Sequence, residues 1–489
     1  MDKYATPILT AEQMRACDRY AIKTLKVPSL QLMEQAAKAL KKECLDTGKS
    51  GLTVILAGKG NNGGDGYALA RLLKNENKEV LVLAVGGLPT SKDARTMYEK
   101  LDKNLVYSVS EKGLAEAKKQ IRRAQMVVDC MFGTGFHGKL DRTSAALSIA
   151  AREKYTIACD VPSGVDCNTG AACENAVRAD VTVTFAAYKP FCFLQPGKQL
   201  AGKIVKASIG MPGQAIQAQN PYLFATDDRL LKQKLKPRGE NTHKGSFGAV
   251  QLVCGSKKMT GAAVMAAKGA LRSGVGLVYM ASDKKTRRIL QTHLCEPVFV
   301  NRTQKTKATA AVIGCGLGKK ARVIKKYAKT DLPYVIDADA LTYLSEKKHM
   351  HILHEFSCAV ITPHPLEMAR LIGKDVAAVE ADRIGTARSF AAEYGVTVVL
   401  KGHHTVIASP SGITYINTSG NSGLAKGGSG DVLAGVIGSL LAQGYPALDA
   451  AALGVYLHGK AADSLLKKGF SAAQMLPTDL PGEIGNLMK

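Results

Sequence analysis

The sequence predicts two successive α/β domains, each a three-layer sandwich of helices around a mainly parallel sheet. Short, continuously apolar runs alternate with helical stretches from Thr53 onward, the pattern of a parallel sheet covered on both faces. The rhythm breaks once, across Ile209–Asn220, and a second series of the same kind follows. Length agrees: 489 residues, 46% of them hydrophobic, suit two or three domains at roughly 150 residues each. The 48 glycines show no collagen-like period and fit a protein with many tight turns.

Thr10-Ala11-Glu12-Gln13 is a capping box that opens a helix toward Ile22, and a second helix is predicted from Ser29 to Leu45. Thr53 to Ala57 reads as a strand and Tyr67 to Leu73 as a helix. Val80 to Val85, Met126 to Cys130, Thr156 to Cys159 and Val181 to Phe185 read as further strands. The break sets the domains at 1–218 and 219–489. The second series has strands at Ala249 to Cys254, Leu277 to Met280, Ala310 to Ile313, Tyr334 to Ile336, Ala359 to Ile361 and Val396 to Leu400. Thr405 to Ser409 and Ile413 to Ile416 flank Pro410-Ser411-Gly412 as a hairpin.

The formal net charge is +25. Such a balance raises the question of a polyanionic partner, but the lysines are scattered and no nucleic-acid module is recognisable, so no nucleic acid is expected. Eleven cysteines, an odd number without a CxxC pair, point to reduced thiols in a cytoplasmic protein. No apolar run reaches membrane-spanning length and the N-terminus lacks a signal-peptide pattern, so no membrane partner is expected.

Gly58-Lys59-Gly60-Asn61-Asn62-Gly63-Gly64-Asp65-Gly66 reads as a loop between a strand and a helix, where backbone N–H groups approach an anion. A plain βα turn needs one or two glycines and does not explain two asparagines and an aspartate among them. Asp129, before the Gly133-Thr134-Gly135 loop, and Asp160, before Pro162-Ser163-Gly164, stand at the ends of two later strands. Ligands of open α/β sheets bind outside the carboxyl ends of strands, so three such loops would converge on one crevice. Any one acid alone could be a helix cap.

These residues resemble the NAD(P)H-hydrate epimerase family, over essentially the whole first half. The resemblance implies a Rossmann-like αβα domain. It implies that Asn61, Asn62, Gly63, Gly64, Asp65, Gly133, Thr134, Gly135, Phe136, His137, Gly138, Lys139 and Asp160 contact the hydrated cofactor. It also implies that Asn62, Asp129 and Ser163 hold a potassium ion, which suits hard oxygen donors. Gln35-Ala36-Ala37 departs from the more usual Asn-Ala-Gly of the family.

In the second half, Gly420 to Asp431 is a glycine-rich string that feeds an apolar helix from Val432 to Ala442. A loop of that kind makes an anion hole for a transferring phosphoryl group, and Asp431 in the first helical turn is placed to accept a hydroxyl proton. With Asn241 to Gly248, Gly314 to Gly318, Asp337 to Leu341, Thr362 to Glu367 and Lys401 to Thr405, it resembles the nucleotide-dependent NAD(P)H-hydrate dehydratases. Their fold is ribokinase-like αβα. The resemblance implies that Gly316, His364 and Asp431 contact the hydrate, with Asp431 as catalytic base. It implies that Lys401, Gly402, His403, His404, Thr405 and Gly430 bind the nucleotide. Cys315, often proline in the family, and Leu366, often glycine, are departures.

Together the two resemblances imply a fused metabolite-repair enzyme acting on the hydrates of NADH and NADPH. Water adds to the nicotinamide ring at C6 and gives two epimers. The first half would interconvert R and S, and the second would dehydrate S at the expense of ADP or ATP, with Mg²⁺ on the nucleotide phosphates. A homo-oligomer is expected. Two alternatives stay open. A ribokinase-fold kinase of a small alcohol leaves the Asn61–Gly66 motif unexplained, and a non-catalytic RNA-binding scaffold has no need of Asn62, Asp129, Asp160 and Ser163. His349, His351 and His354 suggest a metal cluster, but their spacing puts only His351 and His354 side by side, so a solvated helix face is the expectation.

Overall fold

The computed structural model describes residues 6–302 and 304–488. The chain divides into two compact units between Pro221 and Tyr222. In the first, the strands are β1 (Thr53–Ala57), β2 (Val80–Val85), β3 (Val106–Val109), β4 (Met126–Cys130), β5 (Tyr155–Cys159), β6 (Val181–Phe185) and β7 (Lys203–Ala207). They form one parallel sheet in the order β3-β2-β1-β4-β5-β6-β7. Alternate residues bury opposite faces, as strand pleating requires. Ile55, Ala57, Val82 and Val128 pack under the helices Ser29–Asp46 and Asn61–Asn75. Val54, Leu56, Leu83 and Val127 pack under Leu114–Arg123 and Arg142–Ala151. The chain runs outward from β1 to β3 and returns beside β1 as β4. That reversal opens a crevice at the carboxyl ends of β1 and β4.

The helix Ala11–Lys23 is closed by the expected box: the Gln13 N–H donates to Thr10 Oγ1 and the Thr10 N–H to Gln13 Oε1. The Asn61–Gly66 segment departs from its expectation. It is no loop but the opening of the helix Asn61–Asn75. Its glycines serve close packing rather than unusual backbone angles. A Cβ on Gly63 would lie 1.9 Å from the Gly58 carbonyl oxygen, and one on Gly64 would lie 2.7 Å from the Met33 methyl. The Ile209–Asn220 stretch contains one short helix, Gly213–Gln217.

The second unit contributes β8 (Leu223–Ala225), β9 (Ala249–Val253), β10 (Leu277–Ala281), β11 (Val298–Val300), β12 (Ala310–Ile313), β13 (Tyr334–Ile336), β14 (Ala359–Ile361), β15 (Thr397–Leu400), β16 (Val406–Ala408) and β17 (Thr414–Ile416). Their order is β8-β17-β16-β15-β14-β13-β12-β9-β10-β11. Pairing is parallel except where β16 meets β15 and β17, so the predicted hairpin is present. Val250, Val312, Val335 and Val360 share one core with the helices Thr260–Arg272, Ser429–Ala442 and Ala447–Lys467. The first two of these helices touch backbone to backbone: a Cβ on Gly435 would lie 2.0 Å from the Ala266 carbonyl oxygen. That contact fixes where the helix start carrying Asp431 sits.

Candidate active sites

The crevice of the first unit is a cavity of about 660 Å³. Asn61, Asn62, Asp65, Gly133, Thr134, Gly135, Phe136 and Asp160 all line it. Gly63 and Gly64 are buried in the same helical turn. His137, Gly138 and Lys139 are exposed and outside the cavity wall, with His137 Nδ1 2.9 Å from Asp166 Oδ2. Asp129 and Ser163 lie fully buried beneath it. Asp129 accepts from the Ser163 N–H and Oγ–H, at 2.7 Å each, and from the Met131 N–H at 3.2 Å. Ser163 Oγ in turn accepts the Phe132 N–H at 2.9 Å, next to Gly133, against which the Asn62 amide packs. Asn62 Nδ2 is buried without a partner. Burial pushes the Asp129 carboxyl up to about 6, only partly opposed by the Ser163 and Met131 hydrogen bonds. The oxygens of Asn62, Asp129 and Ser163 thus surround one short segment, a hard-donor set that suits an alkali cation.

Sequence reasoning missed two members of this crevice, Lys189 and Asp18, which also line it. Lys189 is fully buried, and Lys-Pro after an aromatic residue reads as an ordinary surface turn. Its ammonium donates to Asp160 Oδ1, and to Thr184 Oγ1 and the Phe185 carbonyl at 2.9 Å. Asp160 sits in the left-handed region at φ 65°, unusual for a non-glycine residue, and also accepts the Thr184 hydroxyl and Phe185 N–H at 3.1 Å. Burial pushes Asp18 up to about 6 and Asp65 well above the usual carboxylate range, and the charge of Asp160 adds to both shifts.

In the second unit, four adjacent strands deliver polar groups at their carboxyl ends: Cys315 after β12, Asp337 after β13, Thr362 after β14 and Lys401 after β15. Asp337 Oδ1 accepts from the Thr362 hydroxyl at 2.6 Å and from Lys401 Nζ at 3.0 Å. The ligand atoms of Cys315, Asp337 and Asp431 lie within 4.8 Å of one another. Burial, then the neighbouring Asp337, pushes the Asp431 carboxyl up to about 6. Burial lowers the Lys401 ammonium, but Asp337 and Glu367 outweigh it and leave its pKa above the usual lysine value. Gly430 faces Lys401: a Cβ there would lie 3.5 Å from Nζ. Asp337, Thr362 and Glu367 were legible only as parts of strings; their position one step past a strand, or in a capping box, was the available signal.

His364 caps the helix Pro365–Ile372, accepting the Glu367 N–H, and Glu367 Oε2 stands 3.9 Å from Lys401 Nζ. Gly316 is buried at φ 64°, where a Cβ would meet the Met259 carbonyl oxygen at 2.8 Å. In the Lys401–Thr405 turn, Gly402 has φ 147°, His404 Nδ1 lies 2.8 Å from the Asn417 carbonyl, and Thr405 Oγ1 donates to the Gly402 carbonyl. His403 packs its ring on that of His404 at 4.1 Å. The helix Ser429–Ala442 starts behind Gly428 at φ 104°, which leaves first-turn N–H groups aimed at the same corner. The three histidines of 349–354 do not converge. His349 is buried against Tyr343, a correction to the solvated face, while His351 and His354 are exposed and His354 stacks on Tyr394. Among the described residues, Cys315, Asp337 and Asp431 are the one group of three His, Cys, Asp or Glu side chains spaced for a metal.

Comparison with known proteins covers both halves. A family described as NAD(P)H-hydrate dehydratase matches residues 250–486, and one described as YjeF-related protein N-terminus matches residues 29–191. A bifunctional NAD(P)H-hydrate repair enzyme of Moorella thermoacetica is 35% identical, over 96% of this chain and 94% of its own. An ADP-dependent (S)-NAD(P)H-hydrate dehydratase of Neisseria meningitidis is 42% identical over 50% of this chain and 86% of its own. A solved ADP/ATP-dependent NAD(P)H-hydrate dehydratase from Bacillus subtilis, co-crystallised with ATP/Mg²⁺, is 30% identical with a TM-score of 0.49, covering 54% of this chain and 96% of that one. With a relative this similar along nearly the whole of both chains, the chain belongs to the family of bifunctional NAD(P)H-hydrate repair enzymes.

Proposed function

We propose that the chain repairs hydrated NADH and NADPH in two steps, with residues 1–218 interconverting the R and S hydrates and residues 219–489 dehydrating the S form with ADP or ATP. The observation that carries the reading is the pair of strand-end sites, each with its own buried carboxylates, in a chain of this family. In the second site Asp431 takes the proton of the C6 hydroxyl as its oxygen attacks the terminal phosphoryl group of the nucleotide. Phosphate is a far better leaving group than hydroxide, and its departure with loss of a ring proton restores the reduced nicotinamide. Lys401, Gly402, His403, His404, Thr405 and Gly430 hold the nucleotide, Gly316 and His364 the hydrate, and Mg²⁺ supplies charge neutralisation at the phosphates.

In the first site Asn61, Asn62, Gly63, Gly64, Asp65, Gly133–Lys139 and Asp160 hold the hydrate. Asn62, Asp129 and Ser163 would hold K⁺, which would supply the positive charge that no basic side chain among the described residues gives buried Asp129. The reading includes a cytoplasmic homo-oligomer, and the eleven free cysteines suit a reducing compartment. Among the described residues no helix is long and apolar enough to cross a membrane. The test is to incubate pure R hydrate with the protein, first without nucleotide and then with ADP or ATP, and to follow both epimers by chromatography. Appearance of S without nucleotide, and loss of hydrate to the reduced cofactor only with it, are expected. Consumption of a small alcohol instead of hydrate would favour the kinase alternative.

A further inference from the structure

Asp18, Asp65, Asp93, Asp141 and Asp160 line the first crevice, together with one fully buried lysine, Lys189. A lysine is almost never fully buried without a partner, because desolvating an ammonium is costly. All three N–H donors of Lys189 are engaged, and among the described residues its only ion pair is with Asp160. Asp160 receives two more donors, the Thr184 hydroxyl and the Phe185 N–H. Asp65, from the helix Asn61–Asn75, is in the opposite position. Among the described residues no cation pairs with it, and its bonded neighbour is the Cys159 thiol at 3.8 Å. Two carboxyl groups of one cavity are therefore held in contrasting environments, an arrangement that sets one as base and the other as acid.

We propose that Lys189 is the positioning residue of the R–S interconversion: by giving Asp160 its counter-charge and leaving Asp65 without one, it makes the two a base and acid acting together on the C6 centre. The proposal rests on the epimerase reading above. The C6 carbon bears both the hydroxyl and the ring nitrogen N1, so it can open without any redox step. Asp160 takes the hydroxyl proton, the O–H pair becomes the C6=O π bond, and the C6–N1 bond breaks with its pair on N1. Asp65 gives its proton to N1. Rotation about C5–C6 turns the other face of the aldehyde to N1. Reclosure reverses the flow: N1 returns its proton to Asp65, its pair forms C6–N1, and the carbonyl oxygen takes the proton back from Asp160. Both carboxyl groups end as they began, so a single turnover needs one ionised and one protonated partner at once.

The groups facing Asp160 are Lys189, Asp65 and Asp18 around the cavity, and the thiols of Cys159, Cys167 and Cys192 behind it. Arg15, Lys59, Asp93 and Asp141 line the cavity as well. Lys189→Met removes the only cation that pairs with Asp160 among the described residues. The acid limb of the epimerisation pH profile is then expected to move up, with a loss of roughly 10²-fold or more at neutral pH. Lys189→Arg keeps the charge and is expected to retain the wild-type limb. Asp65→Asn is expected to abolish the alkaline limb and most of the rate. Nucleotide-driven dehydration of S hydrate by the same preparations reports an intact chain, and circular dichroism reports the first unit. Wild-type protein that does not interconvert the epimers would overturn the epimerase reading itself. Active wild type with an unmoved limb in Lys189→Met would overturn the positioning role. Should Lys189→Met not fold, an unchanged alkaline limb in Asp65→Asn would overturn the proposal equally.

Discussion

Replacing Asp431 with asparagine separates a catalytic carboxylate from a helix cap, because the two roles predict opposite changes. Asparagine matches aspartate in size but cannot accept the C6 hydroxyl proton. Positioned general bases contribute about 10²- to 10⁴-fold, so dehydration should fall by at least that order. Stability should move the other way. The folded carboxyl titrates near 6 and an ordinary aspartate near 3.8, so ionising it works against the folded state. That penalty is absent below the unfolded value, grows as pH rises from there, and is complete above the folded one. Two units correspond to about 3 kcal/mol as a ceiling, and the half-exposed setting of Asp431 reduces this to roughly 1–2 kcal/mol. At pH 7 the neutral variant should therefore be more stable by that amount and nearly inactive, while still binding nucleotide. In the wild type, dehydration should fall through an acid limb near pH 6. Steady-state dehydration, calorimetric nucleotide binding and urea unfolding on one preparation read all three. A variant that turns over within a few-fold of wild type, and is destabilised, would show that Asp431 is only a cap.

Asp129→Ala should abolish R-to-S epimerisation, followed by chiral chromatography, while S-specific dehydration survives. It orphans two buried N–H donors, of Ser163 and Met131, at about 1–3 kcal/mol each, so the first unit should also unfold at lower denaturant. Gly63→Ala places a methyl 1.9 Å from the Gly58 carbonyl and should shift the Asn61 turn, lowering epimerisation and first-unit stability by at least 1–3 kcal/mol; unchanged unfolding would contradict the close approach. A fragment from about residue 219 should fold and dehydrate S hydrate alone, since that half has its own core. A soluble but inactive fragment would count against placing the whole reaction there.

Much of this was legible in the sequence because continuous apolar strands and glycine-flanked acids are strong local signals. The central strands of both sheets lie where the apolar runs predict them. The edge strands and the shortest strands were not legible. Val106–Val109 and Lys203–Ala207 are half-exposed and mix polar with apolar residues, and Leu223–Ala225 and Val298–Val300 are three residues each. Asn61–Gly66 was misread because asparagine and glycine favour turns. Only tertiary contact, with Gly58 on one side and Met33 on the other, shows why a helix starts there. Lys189 was invisible for a similar reason: nothing local distinguishes a surface lysine from one that folds inward onto an aspartate 29 residues earlier. Conversely, Cys315 was marked only as a departure, and it lies with its thiol 3.7 Å from Asp337 in the second site.

Repair of both hydrates by one chain is tested from pure R hydrate, with the protein, K⁺, Mg²⁺ and ADP or ATP, by following the absorbance of the reduced nicotinamide ring. Full recovery is expected, with one phosphate released per ring restored, and with Asp129→Ala blocking recovery from R but not from S. Recovery from S but none from R with the wild-type chain would contradict it.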